Sequence, residues 1–185
     1  MERSEQESLR QVADGDLVEL EIFCRRHTTK MCNFAYRLLW NWADAEEAAQ
    51  ETLFRVFKLA LDGQFDEEPG TFMATMYRIA RNLCMDRMSE RGSGTGDEKG
   101  PVGGRLSATE RENLPGEPER GERAREVDDA LAKLSPNHRA ALLLKDYGGL
   151  RYAEIARVLD CSMNQVKMLV CHARRQMADV VRGGE

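Results

Sequence analysis

The segment Ser89 to Arg123, SERGSGTGDEKGPVGGRLSATERENLPGEPERGER, decides how this chain can fold, because it cannot join a core. Across its 35 residues only Val102, Leu106 and Leu114 are larger aliphatics, and most of the rest is Gly, Glu, Arg, Pro and Ser. So little apolar area does not offset the entropy of ordering the backbone, and the segment reads as a flexible tether. The 185 residues are thereby divided into two small lobes, each with a modest core. Aromatic residues make up only 6% of the chain, and no run alternates at period two for long enough to be a strand. The expected fold class is therefore all-α: two small helical domains, residues 16–88 and 124–182, joined by the tether 89–123.

In the first lobe, Leu17, Leu20, Phe23, Cys24, Met31, Phe34, Ala35 and Leu38 recur at helical spacing. They predict one long helix from about Asp16 to Trp40. Asn41-Trp42-Ala43 reads as a short connection. The next helix is expected to start at Asp44, with Glu47 completing a capping box, and to run through Leu53, Val56, Phe57 and Ala60. Asp62-Gly63 stops it, and Phe65 to Gly70 forms an acidic loop. A third helix begins near Thr71 with Phe72, Met76, Ile79, Ala80 and Leu83 inward, leaving Tyr77, Arg78 and Arg81 on the other side and Asn82 at the edge.

In the second lobe, Val127, Leu131 and Leu134 predict a short helix. Ser135-Pro136 opens another, whose buried part is Ala140 to Leu144, and Gly148-Gly149 ends it. From Leu150 to Met177 the chain reads LRYAEIARVLDCSMNQVKMLVCHARRQM, two helices joined by a turn too short to do anything but cross them. Ile155, Ala156 and Leu159 face inward on the first. Asp160 suits the positive φ that such a turn requires, and Ser162 is the expected N-cap of the second. Val166, Leu169, Val170, Ala173 and Met177 mark the inner side of that second helix. This is a helix-turn-helix, Tyr152 to Cys171 at its centre, whose second helix has the shape to enter a DNA major groove. Asn164, Met168, Cys171 and Arg175 fall opposite the apolar stripe, with Gln165, Lys167 and His172 on its flanks. Asn and Gln can pair with adenine edges, and Lys and Arg neutralise phosphates.

The net charge of −5 hides a gradient that fits this placement. Met1 to Met88 carries 11 Lys and Arg against 16 Asp and Glu, and Ala124 to Glu185 carries 10 against 8. The helix-turn-helix end is the positive one, as phosphate contact requires. Five cysteines, Cys24, Cys32, Cys84, Cys161 and Cys171, form no CxxC pair, and with no signal peptide or long apolar run they are expected to be free thiols in a reducing cytoplasm. Cys24, His27 and Cys32 fit no common zinc spacing, so no metal is expected. No nucleophile–base set and no glycine-rich phosphate loop is visible, so neither enzymatic activity nor a cofactor is expected.

Three stretches carry a resemblance: AEEAAQETLFRVF (Ala45 to Phe57), TFMATMYRIARNLCMDR (Thr71 to Arg87) and LSPNHRAALLLKDYGGLRYAEIARVLDCSMNQVK (Leu134 to Lys167). They resemble bacterial sigma-70 family factors, and the short two-lobe layout resembles the extracytoplasmic-function group, which keeps only regions 2 and 4. The resemblance implies a factor that binds core RNA polymerase and directs promoter-specific initiation. It implies that the helix holding Asp44, Glu47, Gln50, Glu51 and Phe54 docks on the β′ coiled coil. It implies that Tyr77, Arg78, Arg81, Asn82 and Arg87 open and hold the −10 element. Region 4, with Asn164, Gln165, Lys167, Met168, His172 and Arg175, would read the −35 element and touch the β flap. An anti-sigma factor, soluble or membrane-linked, is the further partner implied, with no direct membrane contact. The chain departs from the family at Thr75, where a Trp is usual nearby, at Leu169 and His172, where Arg is usual, and at Gln165, which replaces a common Thr. Those departures suit a second reading, a sigma mimic that sequesters an anti-sigma factor without binding promoter DNA.

Overall fold

A computed structural model describes residues 5–64, 71–92 and 122–182. The expected acidic loop Phe65 to Gly70 and most of the tether, Leu106 and Leu114 included, lie outside the described residues. The described residues form eight α-helices: α1 Glu5–Ala13, α2 Leu17–Leu39, α3 Trp42–Leu61, α4 Thr71–Gly92, α5 Glu122–Ala132, α6 Pro136–Asp146, α7 Tyr152–Leu159 and α8 Met163–Arg182.

The first lobe comprises α1 to α4, with α2 packed along α3 and α4 closing against both. Asp16 caps α2, its Oδ1 accepting from the Val18 and Glu19 amides at 3.0 Å each. At the other end Trp40 adopts φ +55°, a left-handed position rarely given to a bulky residue, and its amide bonds the Tyr36 carbonyl at 2.7 Å. The cost, about 1–2 kcal/mol, is offset by burial of the indole, which packs edge-on to Tyr36 at 5.6 Å. The core holds Phe23, Met31, Tyr36, Leu38, Leu39 and Met76, each under 2% exposed except Phe23 at 2%. Burial of each such side chain stabilises by roughly 1.5–3 kcal/mol. His27 belongs to this core as well, lying 4.6 Å from the Phe23 ring and 5.5 Å from Phe72.

Four expectations for this lobe are corrected. Leu17, expected inward, is 76% exposed, because it sits in the first turn of α2 beyond the reach of α3. Helix α3 starts two residues early: Asn41 is its cap, with Oδ1 accepting from the Asp44 amide at 3.0 Å, so the expected Asp44–Glu47 capping box does not form. Helix α4 runs on to Gly92 instead of stopping at the expected boundary near Met88. Helix α1 was not expected at all. It packs on α2 and α3 through Val12 and through Ser8, whose hydroxyl donates to Glu19 Oε1 at 2.5 Å.

The second lobe follows its sequence closely. Ser135 caps α6 with Pro136 in the first turn, and Ala140 to Leu144 are all buried. Gly149 takes φ +68° in the turn before α7. Asp160 takes φ 51°, ψ 52°, turning the chain between α7 and α8. Ser162 and Gln165 then form a capping box, the Gln165 amide donating to Ser162 Oγ at 3.3 Å and Gln165 Oε1 accepting from the Ser162 amide at 2.8 Å. Val166, Val170 and Ala173 seat α8 on α6 and α7.

The lobes also pack on each other. Helix α4 lies against α7, and the C-terminal end of α2 lies against α5 and α6. This explains the burial pattern of α4. Phe72, Met76, Ala80 and Leu83 are covered as the spacing predicts, but Ala74, Tyr77 and Cys84 are buried too. A helix with partners on two sides has no single apolar stripe.

Candidate functional site

Three surfaces carry the residues singled out from the sequence. On α3, Ala45, Ala48, Ala49, Thr52, Leu53 and Val56 face the core, which turns Glu47, Gln50, Phe54 and Leu61 outward at helical spacing. Phe54 is 62% exposed and Leu61 52%. Glu51 is half-buried and pairs with Arg55 at 2.7 Å. Asp44 is half-buried beside α4 and offers its main-chain carbonyl to Arg87. An aromatic ring flanked by carboxylates on a rigid helix is a surface suited to a groove with a basic rim.

On α4 the five expected residues part company. Arg78 and Asn82 are exposed. Tyr77 is corrected: it is 4% exposed, its ring stands edge-on to Phe34 at 5.0 Å, and burial raises its pKa. A ring so enclosed presents no face on which a base could stack in this conformation. Arg87 is held by α3, donating to the Asp44 carbonyl at 2.7 Å and pairing with Glu47 at 3.0 Å. Arg81 points across to the other lobe, where it donates to Asn137 Oδ1 at 3.1 Å. Thr75 is half-buried.

On α8, Asn164, Gln165, Lys167, Met168, Cys171, His172 and Arg175 are all exposed, as the spacing predicts. Arg174 braces the helix, bonding Asp146 of α6 at 2.6 Å. The N-terminus of α7 is fixed by Glu154, which accepts from the Arg151 amide at 2.6 Å and its guanidinium at 2.9 Å. Burial pushes the Glu154 carboxyl up, but these bonds outweigh it and its pKa is lowered. One flank of α8 borders a cleft of about 520 Å³ between the lobes, into which Arg81, His138, Gln165, Met168 and His172 project. The His138 and His172 rings lie 6.1 Å apart across it.

Sequence reasoning missed two buried cations at the seam. Arg37 (5% exposed) sits among Tyr36, Leu38 and Leu39, and Arg139 (6%) precedes the apolar run Ala140 to Leu144. A charge inside an apolar run was the available signal, since a buried cation needs partners. The partners themselves lie about a hundred positions away, 102 for Arg139 and Arg37.

Comparison with known proteins places both lobes. The profile described as "Sigma-70 region 2" matches residues 23–93, and that described as "Sigma-70, region 4" matches residues 124–177. The ECF RNA polymerase sigma factor SigE of Mycolicibacterium smegmatis is 31% identical over 162 residues, covering 84% of this chain and 58% of that protein. The chain thus spans little more than half the length of that relative. The RNA polymerase sigma-H factor of Pseudomonas aeruginosa is 23% identical, covering 94% of this chain and 91% of the relative. The ECF sigma factor SigK of Mycobacterium ulcerans is 26% identical, with 95% and 88% covered. Among solved structures, CnrH in complex with the cytosolic domain of CnrY aligns with TM-score 0.69 at 19% identity over 98% of this chain and 99% of that one. The sigma factor RpoE in complex with the anti-sigma factor NepR from Bartonella quintana aligns with TM-score 0.71 at 21% identity, over 89% and 97%. Those two likenesses concern the fold. With region 2 matched on the first lobe and region 4 on the second, in that order, the chain belongs to the sigma-70 family, in its extracytoplasmic-function group.

Proposed function

We propose that this chain binds core RNA polymerase and directs promoter-specific initiation, region 2 acting on the −10 element and region 4 on the −35 element. The observation that carries the reading is the pairing of two family profiles, in order, with two separately built helical lobes. The outward stripe of α3, with Glu47, Gln50, Glu51, Phe54 and Asp44 at its head, supplies the docking surface for the β′ coiled coil. Its carboxylates match basic partner residues, and Phe54 supplies apolar contact. Region 4 also touches the β flap. Arg78, Arg81 and Asn82 serve the −10 element, with Arg87 holding α4 on α3 so that those three are correctly presented. Tyr77, enclosed against Phe34 of its own lobe, stands apart from that exposed set.

In region 4, Asn164 and Gln165 sit where amides can reach base edges, and Lys167 and Arg175 where cations meet phosphate. Met168 and His172 complete the exposed face and set a −35 preference of their own. The chain performs no chemistry: binding energy from phosphates and unpaired bases offsets the cost of opening the duplex. The domain limits in this reading are residues 5–92, with α1 and all of α4, and residues 122–182, with 93–121 between them. No described helix is long and apolar enough to cross a membrane, and the work proposed is done in the cytoplasm. An anti-sigma factor is the regulatory partner in this reading, supported by the likeness to the sigma factor RpoE, whose structure is that of its complex with the anti-sigma factor NepR.

The test is in vitro transcription with core polymerase, purified chain and promoter fragments varied at −35 and −10. A promoter-dependent transcript is expected. Failure to bind core, or binding core without any promoter-dependent transcript, would overturn the reading, and retention of anti-sigma binding in that case would identify a sigma mimic.

A further inference from the structure

Two arginines cross the seam between the lobes in opposite directions. Arg139, on α6 of the second lobe, donates through Nε to the Leu131 carbonyl at 2.9 Å and through Nη2 to Ala132 and Leu134 at 3.1 and 3.0 Å. Its remaining nitrogen, Nη1, reaches into the first lobe and bonds the carbonyls of Leu38 at 3.0 Å and Arg37 at 3.3 Å. Apart from Leu134, two residues beyond α5, these carbonyls belong to the C-terminal ends of α2 and α5, where helices leave acceptors unused and the dipole is negative. One guanidinium therefore serves two helix ends brought together by the closed arrangement, and it lies 5.3 Å from the Trp40 ring as well. Burial pulls the Arg139 pKa down to about 10, which leaves it cationic at neutral pH. Arg37 answers from the first lobe: its Nε stands 3.4 Å from Asp128 Oδ1, both side chains under 8% exposed, and its guanidinium lies 4.6 Å over the Tyr147 ring.

We propose that this reciprocal pair is a latch that holds the free chain closed, and that the lobes must part before a promoter can be engaged. The consequence for promoters rests on the sigma-factor reading above; the latch does not. Closure engages part of the −10 surface that reading needs and narrows the approach to one flank of α8. Arg81 is spent on Asn137, α4 is covered by α7, and Gln165, Met168 and His172 face the same cleft as Arg81. By their own numbering the −10 and −35 elements are centred about 25 base pairs apart, on the order of 85 Å of B-form DNA. Side chains in hydrogen-bond contact with each other cannot serve both. Opening is feasible because both arginines sit at helix ends and return to water when the lobes separate, so the ion pair dissolves without stranding a buried charge. The geometry is that of a releasable clasp, not of a continuous apolar core.

Small-angle scattering on the full chain tests the latch directly. A single compact body of this length has a radius of gyration of about 16 Å. The wild type is expected near that value apart from the contribution of the tether. Arg37→Ala, and from the other lobe Asp128→Asn, are expected to give clearly larger values with unchanged helix content by circular dichroism. The double variant should expand little beyond either single one, since both break one contact. If the open form is about 10% populated or less in the wild type, opening should tighten the apparent affinity of the polymerase-bound chain for a two-element promoter by about tenfold or more. An expanded wild type, or both single variants as compact as the wild type, overturns the latch. Expansion without tighter promoter binding overturns its role in limiting engagement. If no variant and no wild type gives a promoter-dependent transcript while the scattering behaves as expected, the sigma-factor reading fails and the latch stands.

Discussion

Arg87 illustrates how a basic residue on a helix can be claimed by the protein before any phosphate arrives. Its guanidinium holds α4 to α3 through the Asp44 carbonyl and Glu47, while Arg78, two turns and more away, is exposed. Arg87→Ala is therefore expected to cost about 1–2 kcal/mol of stability, the worth of a charge-assisted hydrogen bond with its pair. Arg78→Ala should cost under about 0.5 kcal/mol. Chemical denaturation of the two variants measures the difference, and equal midpoints would return Arg87 to the solvent-facing class. The thiols divide in the same way. Burial pushes Cys84 up to about 12 and Cys32 to about 11, whereas Cys171 is exposed on α8. Only the thiolate reacts, so brief alkylation near pH 8 followed by mass spectrometry should modify Cys171 first and leave Cys32 and Cys84 intact until the chain is unfolded. Early loss of Cys84 would mean that the first lobe opens locally.

At the scale of elements, the helix-turn-helix was the most legible part, because each of its constraints is local. Asp160 at φ 51° meets a need of one residue, and Ser162 and Gln165 cap each other within one turn. Asp160→Val places a β-branched side chain in the left-handed region and should destabilise the second lobe by about 1–2 kcal/mol, whereas Asp160→Gly should be near neutral or better. Thermal melts of the two variants check the order; a valine variant as stable as the glycine one would mean that the turn relaxes. Elsewhere local rules misled where two of them competed. Asn41 and Asp44 both suit an N-cap, and Asn41 prevails because the helix that starts at Trp42 brings that indole within 6.0 Å of Tyr36. Helix α1 escaped notice because nine residues, with Ser8 and Val12 the buried ones among the described side chains, make too faint a periodic signal. The outward stripe of α3 and the exposed face of α8 were readable, since each is the complement of an apolar stripe. The α4 surface was not, because that helix has two buried sides and sequence periodicity reveals only the sum of them.

At the scale of the whole molecule, the two-lobe division could be read from composition, but the contact between the lobes could not. It depends on pairs such as Arg139 with Leu38, 101 positions apart, and on the convergence of two helix ends that no local pattern announces. The same division sets a requirement on the tether. Residues 93–121, between the end of α4 and the start of α5, have a contour length of at most about 100 Å. Both lobes can then sit on promoter elements on the order of 85 Å apart, since each lobe covers part of that distance itself. Replacing residues 93–121 by about eight Gly and Ser residues lowers the greatest reach of that stretch to about 28 Å, short of the gap left between two seated lobes. The shortened chain should keep its helix content and its binding to core polymerase through α3, yet lose transcription from promoters that need both elements. Transcription should survive better on a promoter whose −10 element alone is strong, because only the first lobe is then required. Comparing the two promoter types in one in vitro assay separates loss of reach from loss of folding. Equal transcription by the shortened and full-length chains on the two-element promoter would mean that the lobes engage DNA while still close together, and the closed arrangement would then be a working form.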